Sequence, residues 1–158
     1  MYYFLREDLI KLDQEIERVK SEIDKALKET GDSCGQSSET WHDNFGYEEG
    51  VRQSRMWSKR LSELLPIRRE AMIIDRPVNP ESVMVGARVK IREVVSQEEI
   101  TILVGSYFTL SDTEISPEGQ KVSYEAPLAK ILMGAKTGDF RQGQIGKVKK
   151  TFKVLEIS

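Results

Sequence analysis

The residues with the greatest capacity for chemistry are gathered in one stretch. Between Glu29 and Gly50 lie six carboxylates (Glu29, Asp32, Glu39, Asp43, Glu48 and Glu49) and no Lys or Arg. The same stretch holds the single histidine, His42, and the single cysteine, Cys34. A lone histidine lacks the partner ligands that a zinc site needs. A lone cysteine makes neither an intrachain disulfide nor a thiolate metal site, and no Lys, Arg or second Cys lies nearby to lower its pKa. The chemistry on offer is therefore that of carboxylates. Gly and Ser residues mark the stretch as a loop, and long charged segments flank it. A loop between two long helices sits at a tip, so the expectation is an acidic tip that works and a remainder that holds and aims it.

The flanking segments show how such a tip is carried. Leu5, Leu9, Leu12, Ile16, Val19, Ile23 and Ala26 are spaced 4, 3, 4, 3, 4, 3, an a/d seam with charges between. No Gly or Pro interrupts it from Met1 to Thr30, Glu7–Lys11 is an i,i+4 acid-to-base pair, and Gly31 suits the position after a helix end. After the tip, Tyr47, Val51, Ser54, Trp57, Leu61, Leu64 and Arg68 repeat at 4, 3, 3, 4, 3, 4, with polar residues at two seam positions. Pro66 predicts a kink or an end, and Met72, Ile73 and Ile74 predict a bent helix reaching about Asp75. The expected N-terminal unit is an antiparallel helical hairpin, a coiled coil over 1–75 with its tip at 31–46.

Asp75–Ser82, with two prolines and no periodicity, reads as a boundary, the linker being 76–82. Beyond it the pattern turns to β. Ala87–Val95, Glu99–Val104, Lys121–Tyr124 and Lys147–Ile157 read as strands, Asp112–Gln120 as a loop, and Ala126–Met133 as a short helix with Pro127 in its first turn. The fold class is α+β, with a small antiparallel sheet domain over 83–158. The glycines of this half lack the strand-to-helix context of a phosphate loop, and no nucleophile–base pair is present.

The chain's 158 residues suit one domain or two small ones, and 32% charged residues exceed the usual share of about a quarter. A net charge of −2 gives no global reason to expect nucleic-acid binding. The charge is uneven: 16 acids and 12 bases over 1–75, then 10 acids and 12 bases over 76–158. The absence of a signal-peptide pattern, of a membrane-length apolar run and of paired cysteines predicts a cytosolic setting.

Taken together, Val85–Ile91 (VGARVKI), Ile115–Asp139 (ISPEGQKVSYEAPLAKILMGAKTGD) and the closing KVLEI resemble the C-terminal signature of the Gre-type (GreA/GreB) transcript cleavage factors of bacteria. The family's strand leading into S-P-L-A-R and then G-K-K-x-G-D corresponds here to Val122-Ser123, Ala126–Lys130, Gly134 and Gly138-Asp139. The resemblance covers nearly the whole chain. It implies that the second half is FKBP-like and docks on RNA polymerase at the mouth of its secondary channel. The docking segment, typically Asp-Ser-Pro, is Glu125-Ala126-Pro127 here, with the serine hydroxyl lost. An FKBP-like fold also admits a prolyl isomerase reading, but fold alone does not carry function.

The resemblance further implies that the tip reaches the polymerase active centre. There two carboxylates help to hold a second Mg²⁺ and its water, so that the polymerase itself cleaves backtracked RNA near the 3′ end. The protein would then be an accessory factor and not an enzyme, holding no metal stably alone. Hard Mg²⁺ prefers carboxylate oxygens, and two metals can stabilise both the attacking and the leaving oxygen. The family's tip reads G-D-L-S-E-N-A-E-Y. Aligned from Tyr47, Asp43 takes the second acid, Asn44 matches, and the first acid falls on Thr40. Asp32, followed by an insertion, and Glu39 are the other candidates for the first acid. Trp41, His42 and Phe45 depart from the pattern; Trp41 and Phe45 would touch bases or polymerase, or else fold back to close the enlarged loop. Arg52, Arg55, Lys59 and Arg60 are RNA contacts by resemblance, or a solvated helix face. Three functions are expected in turn: a cleavage-stimulating factor acting as a monomer, a secondary-channel binder that modulates polymerase without cleavage, and a coiled-coil adaptor unrelated to polymerase.

Overall fold

The computed structural model describes residues 1–35, 45–107, 115–116 and 119–158. They form two compact units, one of Met1–Leu9 with Ala71–Ser158 and the other of Ile10–Glu70. The division thus falls at Leu9 and Glu70, with the first nine residues in the sheet-bearing unit, and not at the 76–82 segment.

The helical unit is built from α1 (Arg6–Gly35), which starts in the other unit, and α2 (Phe45–Arg69). Leu12, Ile16, Val19 and Ala26 are buried along α1, as its seam predicts. On α2 only Leu64 and Gly50 are buried. Its seam is made by other means. Arg68 forms a two-pronged ion pair with Asp13, Nη2 to Oδ2 at 3.2 Å. The Arg18 guanidinium lies 5.1 Å from the centre of the Trp57 ring. A Cβ on Gly50 would fall 2.3 Å from Thr30 Oγ1, so Gly50 and not Val51 takes the tight position. The partners run in opposite order along the two helices. Charge pairs on the exposed faces are at i,i+3, such as Glu15–Arg18 at 2.8 Å and Glu22–Lys25 at 2.9 Å.

Three helix boundaries differ from expectation. Residues 2–5 are strand β1 (Tyr2–Leu5), paired in parallel with β2 (Ala71–Ile74), Tyr2 opposite Ala71 and Leu5 opposite Ile74. Aromatic and β-branched residues suit a half-buried pleated surface better than a helix end, and Phe4 and Leu5 are fully buried there. The bent helix to Asp75 is thereby replaced: α2 passes Pro66 and stops at Arg69, with Arg68 and Arg69 in a last turn where cations suit the helix dipole. At its other end α1 continues through Gly31 to Gly35.

The second unit carries a six-stranded sheet in the order β5-β6-β4-β3-β8-β7. The strands are β3 (Arg88–Glu93), β4 (Glu99–Gly105), β5 (Ile115–Ser116), β6 (Gly119–Ser123), β7 (Phe140–Ile145) and β8 (Val148–Ile157). The sheet is mixed and not antiparallel, because β4 and β6 run parallel, Val104 opposite Val122. A parallel pair needs a crossover of roughly a dozen residues; β4 ends at Gly105 and β6 begins at Gly119. β7 and β5 are strands that the sequence pattern did not predict. Helix α3 (Pro127–Leu132) covers the inner face so closely that a Cβ on Gly143 would lie 2.3 Å from Ile131 Cγ1. Val89, Ile91, Val104, Leu132, Phe152 and Val154 are at the centre of the core.

On the outer face Glu99 receives Lys90 at 2.7 Å and also binds Arg92. Hydrogen bonds from Lys90 and Arg92 push its pKa down to about 2 from the usual 4.5. A depressed carboxylate pKa contributes stability above the unfolded value and loses it as pH falls through the folded one. Between about pH 5 and about pH 2 the wild type is therefore expected to lose more stability than Glu99→Gln. Urea melts of both proteins across that window check this; parallel curves would refute it.

Candidate functional site

Two regions carry the candidate residues. In the first, Glu39, Trp41, His42, Asp43 and Asn44 lie outside the described residues, as does Thr40. Asp32 belongs to the last turns of α1. Phe45 and Tyr47 sit in the first turns of α2, 74% and 41% exposed, so neither ring is buried in the helical seam. An open cleft of about 340 Å³ is lined by Phe45, Glu48, Glu49 and Arg52.

Arg52, Arg55 and Lys59 are all exposed on α2. Offsets of three and seven residues bring them onto one face of the helix. They are not equivalent. Arg52 donates Nε and Nη2 to Glu49 at 2.9 and 2.8 Å, and Gln53 Nε2 donates to the same carboxylate at 2.9 Å. The Arg52 bond, then the Gln53 bond, hold the Glu49 pKa below the usual carboxylate range, while Glu49 raises that of Arg52. Arg60 is half-buried. Among the described residues no group of three or more His, Cys, Asp or Glu is placed to hold a metal ion.

The second region is the entry to α3. Ser123 organises it: its hydroxyl donates to the Tyr107 carbonyl at 2.8 Å and accepts the Glu125 N–H at 3.2 Å, while its carbonyl accepts the Ala126 N–H at 2.9 Å. Glu125 and Pro127 are exposed and Ala126 is half-buried. Lys130, one turn on, pairs with Glu125. Ala126 has N-cap backbone angles, φ −64 and ψ 146, but no side chain to cap with. A hydroxyl there would satisfy a free helix N–H. Ala126→Ser is therefore expected to raise stability by about 0.5–1 kcal/mol, read by thermal denaturation.

Sequence reasoning missed what stands behind this segment. Tyr124 packs against Tyr3 and Tyr107, ring centres 6.1 and 6.2 Å apart, and Tyr2 lies 4.2 Å from Tyr107. The Tyr3 N–H donates to the Tyr124 hydroxyl at 3.3 Å. Burial raises the pKa of Tyr124. Beside the cluster, Asp8 is buried with Lys121 on one oxygen and the Ser106 hydroxyl on the other. The Leu5 N–H donates to that hydroxyl at 2.8 Å. No local motif marks these residues, because the partners lie 98 and 113 positions from Asp8.

Helices followed by a mixed-sheet domain, with an exposed acid-to-proline step heading a short helix, form the layout that the sequence motifs imply for a transcription factor acting during elongation. Residues 78–158 match the family described as Transcription elongation factor, GreA/GreB, C-term. Transcription elongation factor GreA of Acetivibrio thermocellus is 30% identical over 156 residues, covering 96% of this chain and 92% of that one. The GreA of Nitratiruptor sp. is 30% identical over 157 residues, covering 99% and 88%. The chain belongs to the GreA/GreB family of transcription elongation factors. Among solved structures, the crystal structure of GreA factor homolog 1 (Gfh1) of Thermus thermophilus matches with a TM-score of 0.44 and 22% identity, covering 99% of this chain and 97% of that one. No helix among the described residues is long and apolar enough to cross a membrane.

Proposed function

We propose that this protein binds bacterial RNA polymerase, passes an antiparallel coiled-coil hairpin through the secondary channel, and stimulates Mg²⁺-dependent cleavage of backtracked RNA by the polymerase active site. Near-full-length similarity to factors named GreA carries the reading. The sheet domain, FKBP-like in this reading, docks through Glu125, Ala126 and Pro127. Exposure of Glu125 and Pro127, backed by the Ser123 bonds, supports that role. Asp43 supplies one carboxylate and Asp32 or Glu39 the second. Such oxygen donors fit a hard ion that keeps several of its waters, and the metal remains shared with the polymerase. When bound there, the ion would supply activation of the attacking water and charge stabilisation at the leaving oxygen. Asn44 and Tyr47, with Trp41 and His42, support the tip. Arg52, Arg55 and Lys59 meet the RNA near its 3′ end. The factor acts in the cytoplasm as a monomer, since one hairpin enters one channel, and it has no nuclease centre of its own.

A specific observation supports a second reading. Thr40 occupies the family's first acidic position in the alignment from Tyr47. A tip with one carboxylate would occupy the channel and modulate the polymerase without cleaving. One assay distinguishes the two. Stalled, backtracked elongation complexes with Mg²⁺ receive wild type, Asp43→Ala, Asp32→Ala or Glu39→Ala, and RNA length is followed. Shortening that depends on Asp43 and one further acid is expected. Slowed nucleotide addition without shortening overturns cleavage in favour of the second reading. If Pro127→Ala is retained on core polymerase as well as wild type, the docking assignment is wrong.

A further inference from the structure

The outer face of the six-stranded sheet carries a pattern that neither tip nor docking segment uses. On β3, Val89 and Ile91 point into the core, so Arg88, Lys90 and Arg92 point out. On β8, Phe152 and Val154 point in, so Lys149, Thr151 and Lys153 point out. The β7 register places Phe140 opposite Lys153, Gln142 opposite Thr151 and Gln144 opposite Lys149, all on that face. Arg92 lies opposite Lys153 and Glu99. One row across four strands thus reads Phe140, Lys153, Arg92, Glu99.

The charges on this face are unevenly compensated. Glu99 holds Lys90 and Arg92, and Glu156 lies opposite Lys90, so the carboxylates are on the β3 side. Lys149 and Lys153 have no carboxylate partner among the described residues. Beside them Phe140 is 61% exposed, with Lys153 Nζ 5.5 Å from the ring centre. Lys149 and Lys153 sit on β8, one strand in from the edge strand β7, so protection of an edge against pairing with other chains does not explain them. An exposed ring on that edge is the opposite of protection. A ring among cations, flanked by side-chain amides and presented on a sheet face, suits stacking of an unpaired base with phosphates on either side. An acidic protein surface would need the cations but not the ring. In a family that acts during elongation, the unpaired strand at hand is RNA.

We propose that the outward face of β7 and β8 binds single-stranded RNA, with Phe140 stacking on a base and Lys149 and Lys153 meeting phosphates. This surface is additional to the α2 residues assigned above, and its test needs no polymerase. The full-length protein is titrated against a fluorescein-labelled oligouridylate, with anisotropy read at low and moderate salt. Binding that weakens steeply with salt is expected. Phe140→Ala should weaken it by at least about fivefold. Lys149→Glu/Lys153→Glu should weaken it further and flatten the slope of log K against log salt by roughly 0.7 for each phosphate no longer neutralised. Phe140 and Lys149 are exposed and Lys153 is half-buried, and circular dichroism melts confirm folding. No binding at low salt overturns the proposal. So does a loss confined to Arg52→Ala/Arg55→Ala/Lys59→Ala. So does indifference to Phe140→Ala with displacement by polyglutamate, which would make the face a dock for acidic protein.

Discussion

Replacing Lys121 with methionine is expected to lower the stability of the sheet-bearing unit by about 3–5 kcal/mol. Lys121 and Asp8 are 12% and 4% exposed, so the pair is nearly removed from water. Asp8 receives the Lys121 ammonium on one oxygen and the Ser106 hydroxyl on the other. Methionine keeps most of the volume and removes the charge. The Asp8 carboxylate is then buried with one neutral hydrogen bond, and an uncompensated buried charge costs far more than the intact pair contributes. The loss should also spread through the bonding chain. Ser106 both donates to Asp8 and accepts the Leu5 N–H, so the anchoring of β1 loosens with it. A double variant separates the two meanings of the pair. Asp8→Leu with Lys121→Met removes both charges, and replacing a buried ion pair by apolar groups is often near neutral. The double variant should therefore recover much of the single variant's loss, short of full recovery because the Ser106 hydroxyl loses its acceptor. Urea denaturation of the four proteins gives the coupling directly. If Lys121→Met costs less than about 1 kcal/mol, the pair behaves as an exposed one and its assignment as a buried anchor is wrong.

The contrast between what the sequence disclosed and what it withheld follows the range of the interactions. The α1 seam was legible because each heptad step is local, and Leu12, Ile16 and Val19 are buried as the period requires. The strand β1 was not, because Leu5 also satisfies the heptad, and only pairing with Ala71–Ile74 makes Tyr2–Leu5 a strand. Arg68 looked like a defect in the α2 seam until Asp13, 55 residues away, supplied its partner. β7 was hidden by Gln142 and Gln144 on its outward face and by Gly143, whose missing side chain makes room for Ile131. The α3 entry could be found from Glu125-Ala126-Pro127 alone, since turn and helix-start chemistry is written in neighbouring residues. What fixes it in place, Tyr3 and Tyr107 behind Tyr124, comes from distant segments. Asp8, at the start of a charged helix, gave no sign that it is buried, because burial is decided by Ser106 and Lys121, far along the chain.

Gly86→Ala is the second substitution expected to cost heavily, by about 2–4 kcal/mol, for two reasons that add. The residue has φ +90, a conformation that any side chain strains. A Cβ there would also lie 2.8 Å from Pro77 Cδ, 3.2 Å from Leu5 Cδ2 and 3.3 Å from Arg76 Cα. Leu5 can shift its side-chain end, but a proline ring is tied to its own backbone and cannot rotate away. The 76–77 backbone would have to yield, and with it the bonds from Arg76 Nε and Nη2 to Glu7 at 3.0 and 2.6 Å. Gly86 cannot retreat the other way, because its N–H donates to the Val104 carbonyl at 2.7 Å, next to the buried core. Gly134 is the control. It has φ +74 with nothing within 4 Å of an added Cβ, so Gly134→Ala meets backbone strain alone and should cost about 1–2 kcal/mol. Chemical denaturation of both variants divides the effect: the Gly134 value measures the strain, and the excess at Gly86 measures the closeness of Pro77 and Arg76. Equal losses at the two positions would mean that the 76–77 segment does not press on Gly86, and that glycine is needed there only for its backbone angle.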